Sequence, residues 1–137
     1  MLIVIDSNIL FSALIRDSTT RKLILEYGGF FLFPEYIFIE VEKYKSELLT
    51  KSKLNEEEFN KLLELILKKV MVVQDELLNP HYGEARRLAE SVESPEDLTF
   101  FACALAYPES IIWSNDQKLK RQTKVKIIST SEMLNFF

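Results

Sequence analysis

The sequence predicts an α/β fold: a three-layer sandwich around a mostly parallel central sheet of about five strands. Two observations carry this. Short, β-branched or aromatic apolar runs alternate with helix-period segments from one end of the chain to the other. Gly and Pro are scarce, at 3 and 4 in 137 residues, which leaves little room for flexible linkers and argues for dense regular structure. No repeat and no low-complexity stretch interrupts the pattern. The length lies within the usual span of one domain, roughly 100–200 residues, so residues 1–137 are expected to form a single domain.

The elements follow in order. Leu2-Ile3-Val4-Ile5 reads as a buried strand ending at Asp6. Ile9, Leu10, Ala13 and Leu14 keep a helical period, with Asp6, Ser7 and Asn8 able to cap it. Thr19 to Tyr27 is helical, with Gly28-Gly29 as its stop. Phe30 to Phe33 is a second strand, closed by Pro34, and Ile37, Val41, Tyr44 and Leu48 mark a helix from Glu35 to about Leu49. Asn55 caps a helix over Glu56–Lys69 with the stripe Phe59, Leu62, Leu63, Ile66 and Leu67. Val70–Val73 is a third strand, and beyond Pro80 the chain turns into a helix through Ala85, Leu88 and Ala89. Ser94-Pro95-Glu96-Asp97 opens the next helix, with Pro at its first position. Ile111–Trp113 and Val125–Ile128 are two more strands, and Ser129 to Phe137 should form a small closing helix.

Composition narrows the chemistry. One cysteine, Cys103, excludes an internal disulfide framework and a multi-cysteine zinc site, and one histidine, His81, excludes His-rich metal clusters. His81 reads as a surface residue and Cys103, between two alanines, as a small core filler. The first residues, MLIVI, run straight into Asp6 without a charged leader, and no apolar run nears the ~18 residues of a membrane span. A cytoplasmic protein with no membrane partner is expected. The net charge of −4 argues, at first sight, against a nucleic-acid partner.

In folds of this class the site lies beyond the carboxyl ends of the strands. Asp6 follows the first strand, and Asp116 closes Ile111-Ile112-Trp113-Ser114-Asn115-Asp116. Each could be a helix cap. If their strands are adjacent and parallel, however, the two carboxylates meet at one edge, which is unfavourable unless a cation lies between them. Asp97 is a third candidate, although Ser94-x-x-Asp97 also matches a capping box. A fourth acid comes from Glu35, Glu40 or Glu42, among which spacing does not choose.

These pieces, in this order, resemble the PIN domain family, in particular the small prokaryotic PIN proteins that include VapC-type toxins. The matching segments are Val4-Ile5-Asp6-Ser7-Asn8-Ile9-Leu10, Phe33-Pro34-Glu35 with Ile39-Glu40-Val41, Pro95-Glu96-Asp97-Leu98, and Ile112-Trp113-Ser114-Asn115-Asp116. The resemblance covers nearly the whole chain. It implies that Asp6, Glu40, Asp97 and Asp116 are catalytic and hold one or two Mg²⁺ or Mn²⁺ ions, with Asn8 and Ser114 in support. Hard cations of this kind take oxygen ligands. The implied activity is a metal-dependent ribonuclease that hydrolyses phosphodiester bonds with an activated water, leaving a 5′-phosphate. In one respect the chain departs from many relatives, which carry a further acid about a turn after the last one. Here that region reads Gln117-Lys118-Leu119-Lys120, which bears on a second metal position.

Residues 117–131 contain Lys118, Lys120, Arg121, Lys124 and Lys126 and no acid. This segment is either a solvated surface or a phosphate-binding rim, with Lys118, Lys120 and Arg121 nearest the site. Lys43, Lys45, Lys51 and Lys53 are interleaved with acids, and Tyr36 and Trp113 read as packing residues before base-stacking ones. The expected partners are RNA, an antitoxin protein if the chain is a toxin, and a second copy, since ten Phe leave aromatic surface for a homodimer. One alternative is a catalytically silent PIN module that binds RNA or protein as a scaffold. Another is an Asp-based phosphotransfer domain. That reading is weakened by Asn8, where a phosphatase wants a second Asp, and rests on Asp75 as the receiver-type acceptor.

Overall fold

A computed structural model of the chain describes residues 1–136. Five strands, β1 (Ile3–Ile5), β2 (Phe31–Pro34), β3 (Val70–Val73), β4 (Ile111–Trp113) and β5 (Lys126–Ile128), pair in parallel in the order β3-β2-β1-β4-β5. Parallel neighbours need crossovers, and right-handed ones fix where the helices go. From β1 the chain steps to β2 and β3 in one direction, through α1 (Ser7–Ile15), α2 (Thr19–Glu26), α3 (Ile37–Ser52) and α4 (Glu56–Leu67). It then crosses back to β4 through α5 (Asp75–Leu78), α6 (Tyr82–Ser91) and α7 (Leu98–Ala106), which the same handedness puts on the opposite face. Beyond β5 lies α8 (Thr130–Met133). The α/β sandwich with a parallel sheet is therefore present, and the sheet is wholly parallel. Among the described residues no helix is long and apolar enough to cross a membrane.

The core is built where both faces of the sheet are covered. Ile3, Val4 and Ile5 of β1 and Ile112 and Trp113 of β4 are fully buried, as the unbroken apolar runs of central parallel strands require. β3, at the edge, is less covered, with Met71 exposed and Val72 half-buried. α7 (LTFFACALA) is apolar on nearly all sides because the sheet lies beneath it and α6 behind it, and Phe101, Ala102 and Cys103 are fully enclosed. Burial pushes the Cys103 thiol up to about 12. Phe33 meets Phe100 edge to face at 5.3 Å, and the Trp113 ring lies 5.8 Å from Phe31. The Trp113 indole N–H donates to Thr130 Oγ1 at 3.0 Å and ties β4 to α8.

Several boundaries differ from the sequence reading. α2 does not end on glycine in the left-handed region. It stops at Tyr27, whose backbone is extended (φ −60°, ψ 134°), and no glycine has positive φ. The turn after β2 takes up Glu35 and Tyr36, so α3 starts at Ile37 and runs three residues beyond the expected end, to Ser52. Two elements were unforeseen: α5 after β3, and a 3-10 turn over Gln117–Arg121 inside the basic segment. The closing segment is α8 followed by a 3-10 turn, Leu134–Phe136, and the expected last residue of that helix, Phe137, lies outside the described residues.

The end of α6 matters most for the site. Glu93 is left-handed (φ 57°), the Ser94 N–H bonds Ala89 O at 2.8 Å, and the Glu93 N–H bonds Glu90 O at 3.1 Å. This is the Schellman pattern, in which the left-handed position is usually Gly. A side chain there costs roughly 1–2 kcal/mol, partly offset because Gly also loosens the unfolded chain. Glu93→Gly should therefore raise unfolding stability by about 0.5–1 kcal/mol in urea titrations, while a neutral or destabilising result would show that the Glu93 side chain supplies compensating contacts.

Candidate active site

The strand order reverses between β1 and β4: β1 leads away to β2, and β4 leads the other way to β5. A crevice opens between the two diverging connections, at the carboxyl ends of these strands. Ile5 is in register with Trp113, and the Asp6 N–H bonds Trp113 O at 3.3 Å. Asp6 and Asp116 therefore emerge side by side.

Each of these acids divides its oxygens between two tasks. Asp6 Oδ1 accepts from the Ile9 N–H at 2.9 Å and caps α1, and Asp116 Oδ1 accepts from the Lys118 N–H at 3.1 Å and caps the 3-10 turn. Capping leaves the remaining carboxylate oxygen of each free to turn inward. Buried Ser114 links them. Its Oγ accepts from the Asp116 N–H at 3.1 Å, and its hydroxyl bonds the Asp6 carboxylate. The Asp6 pKa is raised, mainly by burial and further by the nearby Asp116 charge, against the lowering hydrogen bonds from Ser114 and from the backbone of Ile9 and Asn8. Asn8 thus acts on Asp6 through its main chain, while the residue itself is exposed at the cleft mouth.

Asp97 reaches the same place from the other side. Pro95–Asp97 is a 3-10 turn and α7 begins only at Leu98. The expected capping box is not formed: Ser94 (φ −134°, ψ 66°) makes no side-chain cap bond. Its buried hydroxyl lies against the Asp97 carboxylate instead, and Glu96 Oε1 is 3.0 Å from the same Oγ. One proton cannot satisfy both acids at once. Burial, and then the charges of Asp6, Glu96 and Asp116, raise the Asp97 pKa from 3.8 to about 6, against the bond from Ser94.

Glu96, Asp97 and Asp116 each offer a carboxylate oxygen within 4.8 Å of the others. Sequence reading passed over Glu96. Its position beside Asp97 was the available signal; the Ser94 hydroxyl, 3.0 Å from Glu96 Oε1 and against the Asp97 carboxylate, is what draws the two acids to one place. Glu40, half-buried in the first turn of α3, lines the same cleft as Asp6, Glu96 and Asp97, as does Glu47 one helix turn pair further on. The cleft encloses about 510 Å³ between α1 and α3. Tyr36 packs as expected, its ring 5.9 Å from Phe33 and 6.0 Å from Phe100, and it also lines the cleft. Burial first, and the Glu40, Asp97 and Asp6 charges after it, push its pKa well above the usual tyrosine range, so its hydroxyl stays protonated beside Ser7.

The donor set fits a hard divalent cation: oxygen ligands only, two of them, Asp6 and Asp97, buried carboxylates whose charges oppose one another. The residues whose carboxylate oxygens lie close enough to share a cation are Glu96, Asp97 and Asp116, with Asp6 and Glu40 lining the adjoining cleft. The basic segment is less open than its sequence suggests. Lys120 pairs with Glu132, Arg121 with Glu93 at 3.7 Å and Lys124 with Glu84 at 3.8 Å, all acids from other elements. Lys118 points at the carboxylates themselves, 3.8 Å from Glu96 and 3.9 Å from Asp116. Asp75, the receiver-type candidate, has Glu35 and Glu76 as its acidic neighbours, and its N–H bonds Glu35.

A pH dependence follows. In the metal-free protein, folded Asp97 holds its proton up to about 6, against 3.8 for the ordinary carboxyl, so the folded state binds more protons between these values. The associated stability is complete below 3.8 and is lost as pH rises through about 6. Asp97→Asn should accordingly stabilise the metal-free protein at pH 7.5 by about 1–3 kcal/mol, with no advantage at pH 3.5. Thermal melts in chelator at the two pH values would check it. An equal effect at both would mean that Asp97 is not held against its charge.

Comparison with known proteins agrees with this architecture. The profile of the PIN domain matches residues 4–135. No curated protein sequence matches the chain. Among solved structures, a chain in the crystal structure of VapBC2 from Rickettsia felis bound to a DNA fragment from their promoter superposes with a TM-score of 0.68 at 20% identity. The match covers 94% of this chain and 98% of that one, and at this identity it speaks to the fold. With a family match over almost its full length and carboxylates gathered where the strand order reverses, this chain belongs to the PIN domain family.

Proposed function

We propose that the protein is a metal-dependent ribonuclease, hydrolysing phosphodiester bonds in RNA, and that it is the toxin of a toxin–antitoxin pair. The observation that carries the reading is the convergence of Asp6, Asp97 and Asp116 from three elements, with Asp6 and Asp97 buried and both raised in pKa partly by their acidic neighbours. Such an arrangement opposes folding unless a cation is gained in return. Mg²⁺ or Mn²⁺, one or two ions, suits oxygen ligands of this kind. When bound, a divalent cation supplies charge stabilisation on the phosphoryl oxygens and raises the acidity of water.

The chain's own residues do the rest. Ser114 and the cap bonds hold Asp6 and Asp116 in fixed rotamers, so little reorganisation is needed on binding. Tyr36, protonated at neutral pH, offers an O–H donor beside the acids. Glu40 borders the cleft through which a strand would enter, and Lys118, Lys120 and Arg121 follow Asp116 on the adjoining surface. RNA as substrate and an antitoxin as partner rest on the family, supported by a fold neighbour whose structure is titled a VapBC2 complex. Self-association belongs to the same proposal. Five of the ten phenylalanines lie in the core, while Phe30, Phe38 and Phe136 are exposed; Phe38 and Ile39 at the start of α3, 57% and 71% exposed, offer a second copy adjoining apolar surface.

The test is incubation with mixed RNA and Mn²⁺. Wild type should cleave, chelator should stop it, and Asp6→Asn and Asp116→Asn should each slow cleavage by at least about 100-fold, the scale of removing a group that stabilises transition-state charge. Identical products at identical rates from wild type and both variants would sink the nuclease reading and leave a catalytically silent, RNA- or protein-binding module.

A further inference from the structure

We propose that the Lys118 ammonium is a built-in counter-ion of the carboxylate cluster, taking the place of a second cation so that the centre accepts one divalent ion. The inference rests on the metal-centre reading above and adds the stoichiometry.

The geometry begins in the main chain. Asp116 caps the 3-10 turn Gln117–Arg121 by accepting from the Lys118 N–H at 3.1 Å, which fixes where the Lys118 side chain starts. The chain then folds back over the acid that caps it. Its Nζ lies 3.3 Å from Glu93 O, 3.8 Å from Glu96 Oε1 and 3.9 Å from Asp116 Oδ2. An ammonium has three donors and no acceptor, and here it faces three oxygens. Glu93 O is presented by the left-handed turn that ends α6, so the acceptor is set by backbone geometry and not by a mobile side chain. The Lys118 side chain is 38% exposed, as covered as Lys120 at 37%, but Lys120 pairs with Glu132 away from the cluster while Lys118 faces it.

Two of the three closely spaced ligand oxygens, those of Glu96 and Asp116, therefore already share a positive charge. A cation bound on the Asp6 and Asp97 side can coexist with Lys118. A second, on the Glu96 side, would meet the ammonium at close range and would have to displace it, breaking its bond to Glu93 O as well. Like charges at such separations repel strongly where water is partly excluded.

Mn²⁺ titration followed by electron paramagnetic resonance of the free ion reads the stoichiometry directly, without any substrate. Wild type should bind one Mn²⁺. Lys118→Met, which keeps the length and loses the charge, should bind two, and Lys118→Arg should return to one. Circular dichroism and a thermal melt of each variant establish that it is folded. Two ions on wild type, or one on folded Lys118→Met, would overturn the proposal while leaving the metal centre intact. No binding to wild type would overturn the metal-centre reading itself, and the proposal with it.

Discussion

The parallel pairing of β1 with β4 is the contact from which the functional geometry descends. These strands are far apart in sequence, with three crossovers and seven α-helices between them, yet Ile3, Val4 and Ile5 lie in register with Ile111, Ile112 and Trp113. Their apolar side chains are buried on both faces, so slipping the register by one residue would exchange faces for the entire set and set each side chain against the wrong helical layer. The burial that locks the register also locks the position of the first residue past each strand. Because the chain leaves β1 and β4 in opposite directions, no crossover covers that point. Hydrophobic packing, with no polar preference of its own, thus places two carboxylates at one opening.

Around that opening, polar groups are used twice. Asp6 and Asp116 cap helical turns with one oxygen, Ser114 accepts from one acid's amide while donating to the other's carboxylate, and Lys118 is both the capped residue and a cation over the cap. No buried side-chain polar atom among the described residues lacks a partner. This economy suits a buried acidic site, since an unpaired group in low dielectric is costly and every hydrogen bond to a carboxylate lowers the cost of its charge. A capping bond through one oxygen therefore does not exclude a ligand role for the other in Asp6 or Asp116.

Much of this was readable in advance because the signals were local. The strand runs, the Asn55 cap of α4 and the positions of Asp6, Asp97 and Asp116 after or before apolar segments needed no tertiary information. What escaped had tertiary causes. Glu96 joins the cluster through the Ser94 hydroxyl, which its Oε1 shares with Asp97, a contact that periodicity does not reveal. Ser94 looked like a cap and became a donor to Asp97 because burial turned its hydroxyl inward. The basic segment looked unopposed because its partners, Glu84, Glu93 and Glu132, arrive from α6, the turn after it and α8. Glu40 could be preferred over Glu35 and Glu42 only through the family resemblance, and Ile39 beside it proved to be exposed.

The enclosed thiol in α7 has a consequence for how copies of this chain can meet. Cys103 is the chain's one sulfhydryl, it is fully covered, and burial holds it in the unreactive protonated form. Any assembly of native copies must therefore be noncovalent, and oxidising conditions cannot trap it unless α7 first lifts from the sheet. Conversely, the rate at which a thiol reagent modifies Cys103 is a clock for that lifting. α7 follows directly from the turn carrying Glu96 and Asp97, so that clock reports on the helix that adjoins the acidic centre.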